Sequence, residues 1–232
     1  MANTLKTAEY IVAFIDMLGA KKLMERDSDG LLNIAHYVYT ISLGIFKEHF
    51  SKISEDVNIR IYSDNITLFA KCTELKATTA FMATAIMSAI IQVEFLIRGI
   101  IVRGGIAKGD FFYDNIMVWG NALSKSYTIE DKVAIYPRIV IDKDLFEFIN
   151  KERLTDDMLN NHVHRFITKF EDEFYFVNFF NEIENLAGPN AKNNFLKNAY
   201  YKKEEYKKDE HVLEKWLWLI RYLENNIKNE NK

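Results

Sequence analysis

Hydrophobic and polar positions along this chain alternate between two periods. Tyr10 to Asp16 is apolar at consecutive positions and ends in a carboxylate, the pattern of a strand buried on both faces. Leu31 to Phe50 carries apolar residues at helical spacing, and Val57 to Tyr62 again reads as a strand. Ser63-Asp64-Asn65 supplies turn chemistry between two β-rich runs, so Val57 to Phe69 reads as a hairpin. Lys76 to Ile97 returns to the helical period, and Gly99 to Ala107 reads as a strand followed by a turn or bulge around Gly109. The order β, α, β-hairpin, α, β predicts an α+β fold, a ferredoxin-like split βαβ sheet with helices on one face.

Further along, Ile116 to Trp119 predicts a short strand, Asn121 to Asp131 a helix opened by Gly120, and Pro137 to Ile141 another strand. After Pro189 the strand pattern stops. Lys and Glu interleave, and Val212, Trp216, Leu219 and Leu223 recur at helical spacing, which predicts one or two helices. Trp216 and Trp218 are expected to dock this tail on the core or on a partner subunit. The chain is therefore divided into a domain over 1–185 and a C-terminal helical extension over 186–232. Phe174, Tyr175, Phe176, Phe179 and Phe180 form an aromatic cluster suited to core or dimer packing.

Composition narrows the classes of function. The 232 residues, 49% hydrophobic and 27% charged, suffice for a large core. A formal net charge of -3 gives no global basic field, so nucleic acid is not the expected partner. A single cysteine, Cys72, excludes an intrachain disulfide and a cysteine-built zinc site. It fits a reducing compartment, and the cytoplasm is the expected location. The most apolar region, Phe81 to Ile106, is interrupted by Gln92, Glu94, Arg98 and Arg103, and no membrane span is read from it. His162 and His164 lie two apart, on one face of a strand, with no further metal ligand in evidence.

The candidate chemistry lies in the first half. A strand beside a hairpin brings the strand end, Asp16, next to the hairpin tip, Asp64, although they are far apart in sequence. Two such carboxylates suit divalent cations, Mg²⁺ or Mn²⁺, and two ions per site would match a triphosphate. Taken singly, Asp16 reads equally as a helix cap and Asp64 as a turn residue. Gly19 lies where strand passes into helix, and a helix start presents amides to phosphate. Arg103, charged within an apolar stretch, requires a partner, either a phosphate or a structural carboxylate.

These segments resemble the class III nucleotidyl cyclases. The family's first-strand motif, Phe-x-Asp-Ile-x-Gly-Phe, is matched by Phe14-Ile-Asp16-Met-Leu-Gly19-Ala20, and its hairpin Gly-Asp by Ser63-Asp64. Its Arg-x-Gly-Ile-x-x-Gly is similar to Arg103-Gly-Gly105-Ile106-Ala-Lys-Gly109, and a fourth motif to Val118-Trp119-Gly120-Asn-Ala-Leu-Ser124. The likeness covers roughly the first 130 residues, in order. Several segments resemble more closely the bacterial pyrimidine cyclases of the Pycsar anti-phage system. They are the Leu-Gly after strand one, the hairpin Ser-Asp, Tyr127 and Glu130 in the helix after Gly120, Tyr136 to Asp142, and Lys215-Trp216.

The resemblance implies a shared site in a head-to-tail homodimer. One subunit would contribute Asp16 and Asp64 with the Met17 backbone to metal, and Met17, Leu18, Gly19 and Arg103 to phosphate. The other would contribute Arg60 and Met117 to the base and the helix after Gly120. Purine cyclases carry a lysine and an aspartate where Arg60 and Met117 stand. A guanidinium only donates hydrogen bonds and suits pyrimidine carbonyls, while Met117 cannot accept from a purine amine as a carboxylate does. Arg60 also fits a plain edge-strand position. The family's transition-state Asn and Arg are Ser124 and Thr128 here, with Tyr127 and Lys125 as candidate replacements. The implied reaction is cyclisation of UTP or CTP to a 3′,5′-cyclic monophosphate that activates a separate effector in anti-phage defence. The alternatives are a purine cyclase, or an inactive cyclase-homology module for dimerisation or nucleotide sensing.

Overall fold

A computed structural model describes residues 4–50, 57–72, 77–153 and 165–230. Strand β1 (Ala8–Met17) passes through Gly19 into α1 (Ala20–His49). The hairpin β2 (Val57–Tyr62) and β3 (Asn65–Lys71) leads to α2 (Ala77–Ile97) and β4 (Val102–Tyr113). Then come β5 (Val118–Trp119), α3 (Asn121–Lys132), β6 (Ile139–Ile141), α4 (Lys143–Arg153), β7 (Ile167–Lys169) and β8 (Tyr175–Val177). A 3₁₀ turn at Phe180–Glu182 precedes α5 (Ile183–Ala187), α6 (Ala191–Glu205) and α7 (Glu210–Glu230). His162, His164 and Lys76 lie outside the described residues.

The sheet runs β2-β3-β1-β4-β6-β8-β7, with β5 paired to β4. Its first four strands have the predicted ferredoxin-like order. β1 is central, paired antiparallel to β3 on one side and β4 on the other, and β6 joins β4 in parallel.

Alternation along β1 divides the molecule into two layers. Ile11, Ala13, Ile15 and Met17 enter the main core with α1 and α2, while Tyr10 and Val12 join Phe69, Phe111 and Ala122 in a second cluster under α3. α1 and α2 thus share one face, as expected, and α3 covers part of the other.

Several segments depart from the sequence-based expectation, the strands β7 and β8 among them. Helix α1 begins at Ala20 rather than Leu31, with a break at Asp27 (φ -159°, ψ 85°), whose carboxylate accepts the Gly30 N–H at 2.9 Å. The expected start therefore coincides with an internal cap. Strand β4 continues past Gly109 to Tyr113 instead of turning, and α4 was not expected at all. A side chain at Gly109 would collide with Asn121, so this glycine admits the start of α3 against a continuous strand.

The two tail helices form as predicted, and Trp216 and Trp218 are buried within this chain. Trp218 stacks on Tyr136 and Tyr222 and meets Phe170 and Phe176 edge-on. Phe176, Phe179 and Phe180 are core residues, while Phe174 is exposed. α2 has the length and mean hydropathy (1.9) of a membrane span, but 94% of its apolar window is buried in the protein.

Candidate active site

Asp16 stands at the end of β1, opposite Asn65 on β3 and Arg103 on β4. The β2–β3 turn, with Ser63 in the left-handed region (φ 58°), folds Asp64 back to the same place, where its carbonyl accepts the Met17 N–H at 3.3 Å. The two carboxylates are close enough that the charge on Asp64 raises the Asp16 pKa. Burial is the larger cause, the Arg103 guanidinium opposes it, and the Asp16 carboxyl ends up at about 6.

Arg103 lies between carboxylates. Its terminal nitrogen is 2.6 Å from Glu130 Oε1 on α3, and its Nε is 3.7 Å from Asp16 Oδ2. The first is a close ion pair and the second is beyond hydrogen-bond length. Arg103 Nε is a buried donor without a hydrogen-bond partner. The cluster is therefore charged, desolvated and incompletely satisfied, as a site awaiting an oxygen-rich ligand would be. Glu130, pushed up to about 7 chiefly by burial with Arg103 opposing, was named in the sequence only within a motif. The signal for it was the partner that Arg103 required.

Gly19 takes φ 80°, ψ 10°, a left-handed conformation that a side chain would strain, and opens α1 without a side-chain cap. The Met17 and Leu18 amides, expected at phosphate, instead donate to the carbonyls of Asp64 and Ile101. The helix-start donors that remain belong to the residues from Gly19 onward, because the first turn of a helix has no internal acceptors.

Arg60 and Met117 each lie near Tyr113, ten positions along β4 from Arg103. The Arg60 guanidinium lies 5.8 Å from the Tyr113 ring centroid and donates to its neighbour's carbonyl, Ile59 O. Met117, 40% exposed, closes the turn after Tyr113: its N–H donates to Asp114 Oδ1 and its carbonyl accepts the Asp114 N–H. Among the described residues no hydrogen bond or ion pair joins this pair to the carboxylates. On α3, Ser124 and Thr128 are exposed, with the Thr128 hydroxyl donating to Ser124 O. Tyr127, 52% exposed, packs edge-on against Phe14 at 5.4 Å.

Among the described residues no three His, Cys, Asp or Glu side chains converge to hold a metal unaided. Two carboxylates at one strand end fit a hard cation that takes its other ligands from water and phosphate oxygens.

No protein-family model matches the chain, and no curated protein matches its sequence. Solved structures do. The chain is similar to the monomeric guanylyl cyclase domain of the RhoGC fusion protein from the aquatic fungus Blastocladiella emersonii, at 14% identity and TM-score 0.52, covering 75% of this chain and 98% of that domain. It is also similar to the guanylate cyclase domain of RhGC from Catenaria anguillulae in complex with GTP, at 12% identity and TM-score 0.53, with 75% and 98% covered. A third likeness is to the catalytic core of a rhodopsin-guanylyl cyclase with converted specificity in complex with ATPαS, at 12% identity and TM-score 0.52, with 76% and 98% covered. The chain has the fold of nucleotide cyclase catalytic domains. At such identities the likeness reaches the fold, and the chemistry is argued from the site.

Proposed function

We propose that this protein is a class III nucleotidyl cyclase that converts a pyrimidine nucleoside triphosphate, UTP or CTP, to its 3′,5′-cyclic monophosphate. The observation that carries the reading is the convergence of Asp16 and Asp64 at one strand end, beside Arg103 and the glycine-opened start of α1. In the reaction the ribose 3′-oxygen attacks the α-phosphorus, the bond to the β-phosphate bridging oxygen breaks, pyrophosphate leaves, and the hydroxyl proton passes to solvent. Asp16, Asp64 and the Met17 backbone would hold divalent cations, Mg²⁺ or Mn²⁺ and two per site, which would supply charge neutralisation and acidify the 3′-hydroxyl. Arg103 and the amides from Gly19 onward hold and orient the triphosphate tail, so positioning and fixed electrostatics supply the acceleration.

Arg60 and Met117 support the pyrimidine assignment: a donor-only fork suits O2 or O4, and Met117 offers no acceptor to a purine amine. Their separation from the carboxylates fits a site completed by a second copy, with Arg60, Met117 and the outer side of α3 from one subunit facing Asp16 and Asp64 of the other. The product would act as a second messenger on a separate effector, an assignment that rests on the Pycsar resemblance. Residues 1–185 would form the catalytic domain and 186–232 its helical extension.

Incubation of the purified protein with UTP, CTP, ATP and GTP together and Mn²⁺, read by mass spectrometry, tests the proposal. A cyclic pyrimidine monophosphate is expected. A cyclic purine product would refute the specificity, and nucleotide binding without pyrophosphate release would favour a sensing module. Asp16→Ala or Asp64→Ala is expected to abolish turnover while leaving the circular dichroism spectrum intact.

A further inference from the structure

The C-terminal helix carries a charge that packing does not explain. Lys215 of α7 is only 5% exposed, and its Nζ donates to His211 O at 2.9 Å on its own helix. An ammonium has three donors, and among the described residues no carboxylate lies within ion-pair distance of this one. Burial first, and then the nearby Arg103 guanidinium, lower its pKa, with Glu214 and Asp209 acting the other way. Two cations near one another in a desolvated region repel, and an anion between them would relieve both.

The position of α7 says which anion. Asp209, whose carboxylate accepts the Val212 N–H at the start of α7, is held by Lys22 in the first turn of α1, with Nζ to Oδ2 at 2.6 Å. The start of α7 is thus fastened to the start of α1, and Lys215 follows Asp209 by less than two helical turns, about 9 Å at 1.5 Å per residue. Ser124 and Thr128 on α3 are both exposed and neither is cationic.

We propose that Lys215 contacts the triphosphate of the substrate together with Arg103 and the opening of α1, making the C-terminal helix part of the active site. The inference rests on the cyclase reading above and gives a role to a residue that the resemblance names without assigning it one.

Binding of sodium tripolyphosphate with MnCl₂, measured calorimetrically on the full chain, separates the possibilities. K215M keeps the apolar stem and removes a buried, poorly paired charge, so its melting temperature should equal or exceed that of the wild type. Its dissociation constant should rise by about tenfold or more, the loss of one charge-assisted contact. K215R should recover most of the affinity. Unchanged tripolyphosphate affinity in K215M overturns the inference and leaves the cyclase reading standing if R103M loses binding in the same assay. A wild type that binds neither tripolyphosphate nor any nucleotide overturns both. Should K215M fail to fold, ¹⁵N-lysine spectra of the wild type decide: a Lys215 Nζ resonance that shifts with tripolyphosphate supports the contact, and one that stays fixed overturns it.

Discussion

Asp16 holds its proton to a pH at which an ordinary carboxyl has lost it. An unfolded aspartate titrates at about 3.9, and the folded group does so at about 6 because burial outweighs Arg103. The fold therefore favours the protonated form. This contribution to stability is whole below about pH 4 and is lost as pH rises through 6. Asp16→Asn should accordingly raise the melting temperature more at pH 8 than at pH 5, measured by scanning calorimetry with chelator present. Added Mn²⁺ should stabilise the wild type at pH 8 and leave the variant unmoved. A gain independent of pH would mean that Asp16 is not desolvated as described. Glu130, raised to about 7, loses its contribution over the window above, and Glu130→Gln should show the same asymmetry displaced to higher pH. At this scale the sequence displayed Asp16 and Arg103 because each interrupts an apolar run, and Asp64 because it sits in the turn between two strands. Glu130 and Lys215 were named only through the resemblance and given no role, because each lies on an amphipathic helix, where a charged residue is ordinary until packing turns it inward.

Helix α3 reaches the sheet through Gly105. A Cβ there would fall on the Ser126 carbonyl and within 2.7 Å of the Ile129 Cβ, both on α3. Gly105→Ala should cost about 1–3 kcal/mol in urea unfolding, the usual range for overpacking. It should also impair turnover, since the helix that must shift carries Glu130 and thereby holds Arg103. Stability unchanged within error would show that α3 can shift without strain. The element order of the first 110 residues was legible because β1, β3 and α2 are long runs of unbroken period. The first turns of α1 were not, because between Lys21 and Gly30 only Leu23 and Met24 are apolar, too few to show a helical period. Gly109 suggested a turn, yet it serves a close helix approach, which local sequence cannot distinguish.

At the scale of the whole molecule, the proposed shared site predicts complementation. In an equal mixture of inactive Asp16→Ala and inactive Arg60→Ala chains, random exchange should restore about a quarter of wild-type activity, since half the dimers are mixed and each has one intact site. A mixture that stays inactive after exchange would place both residues in a site built from one chain. The sequence hinted at two surfaces meeting only through the resemblance, because nothing in one chain's periodicity encodes a two-fold axis. Another global consequence follows from α2, which is buried on nearly every side and contributes Gln92 and Leu96 to a small cavity closed by Leu219 of α7. As the chain emerges from the ribosome, that helix is complete more than a hundred residues before the segment that finally covers it. Until then the part of its surface around Gln92 and Leu96 lacks the cover of Leu219, so a chain stopped at Asn190 should sediment with aggregates while the full-length protein stays in the supernatant.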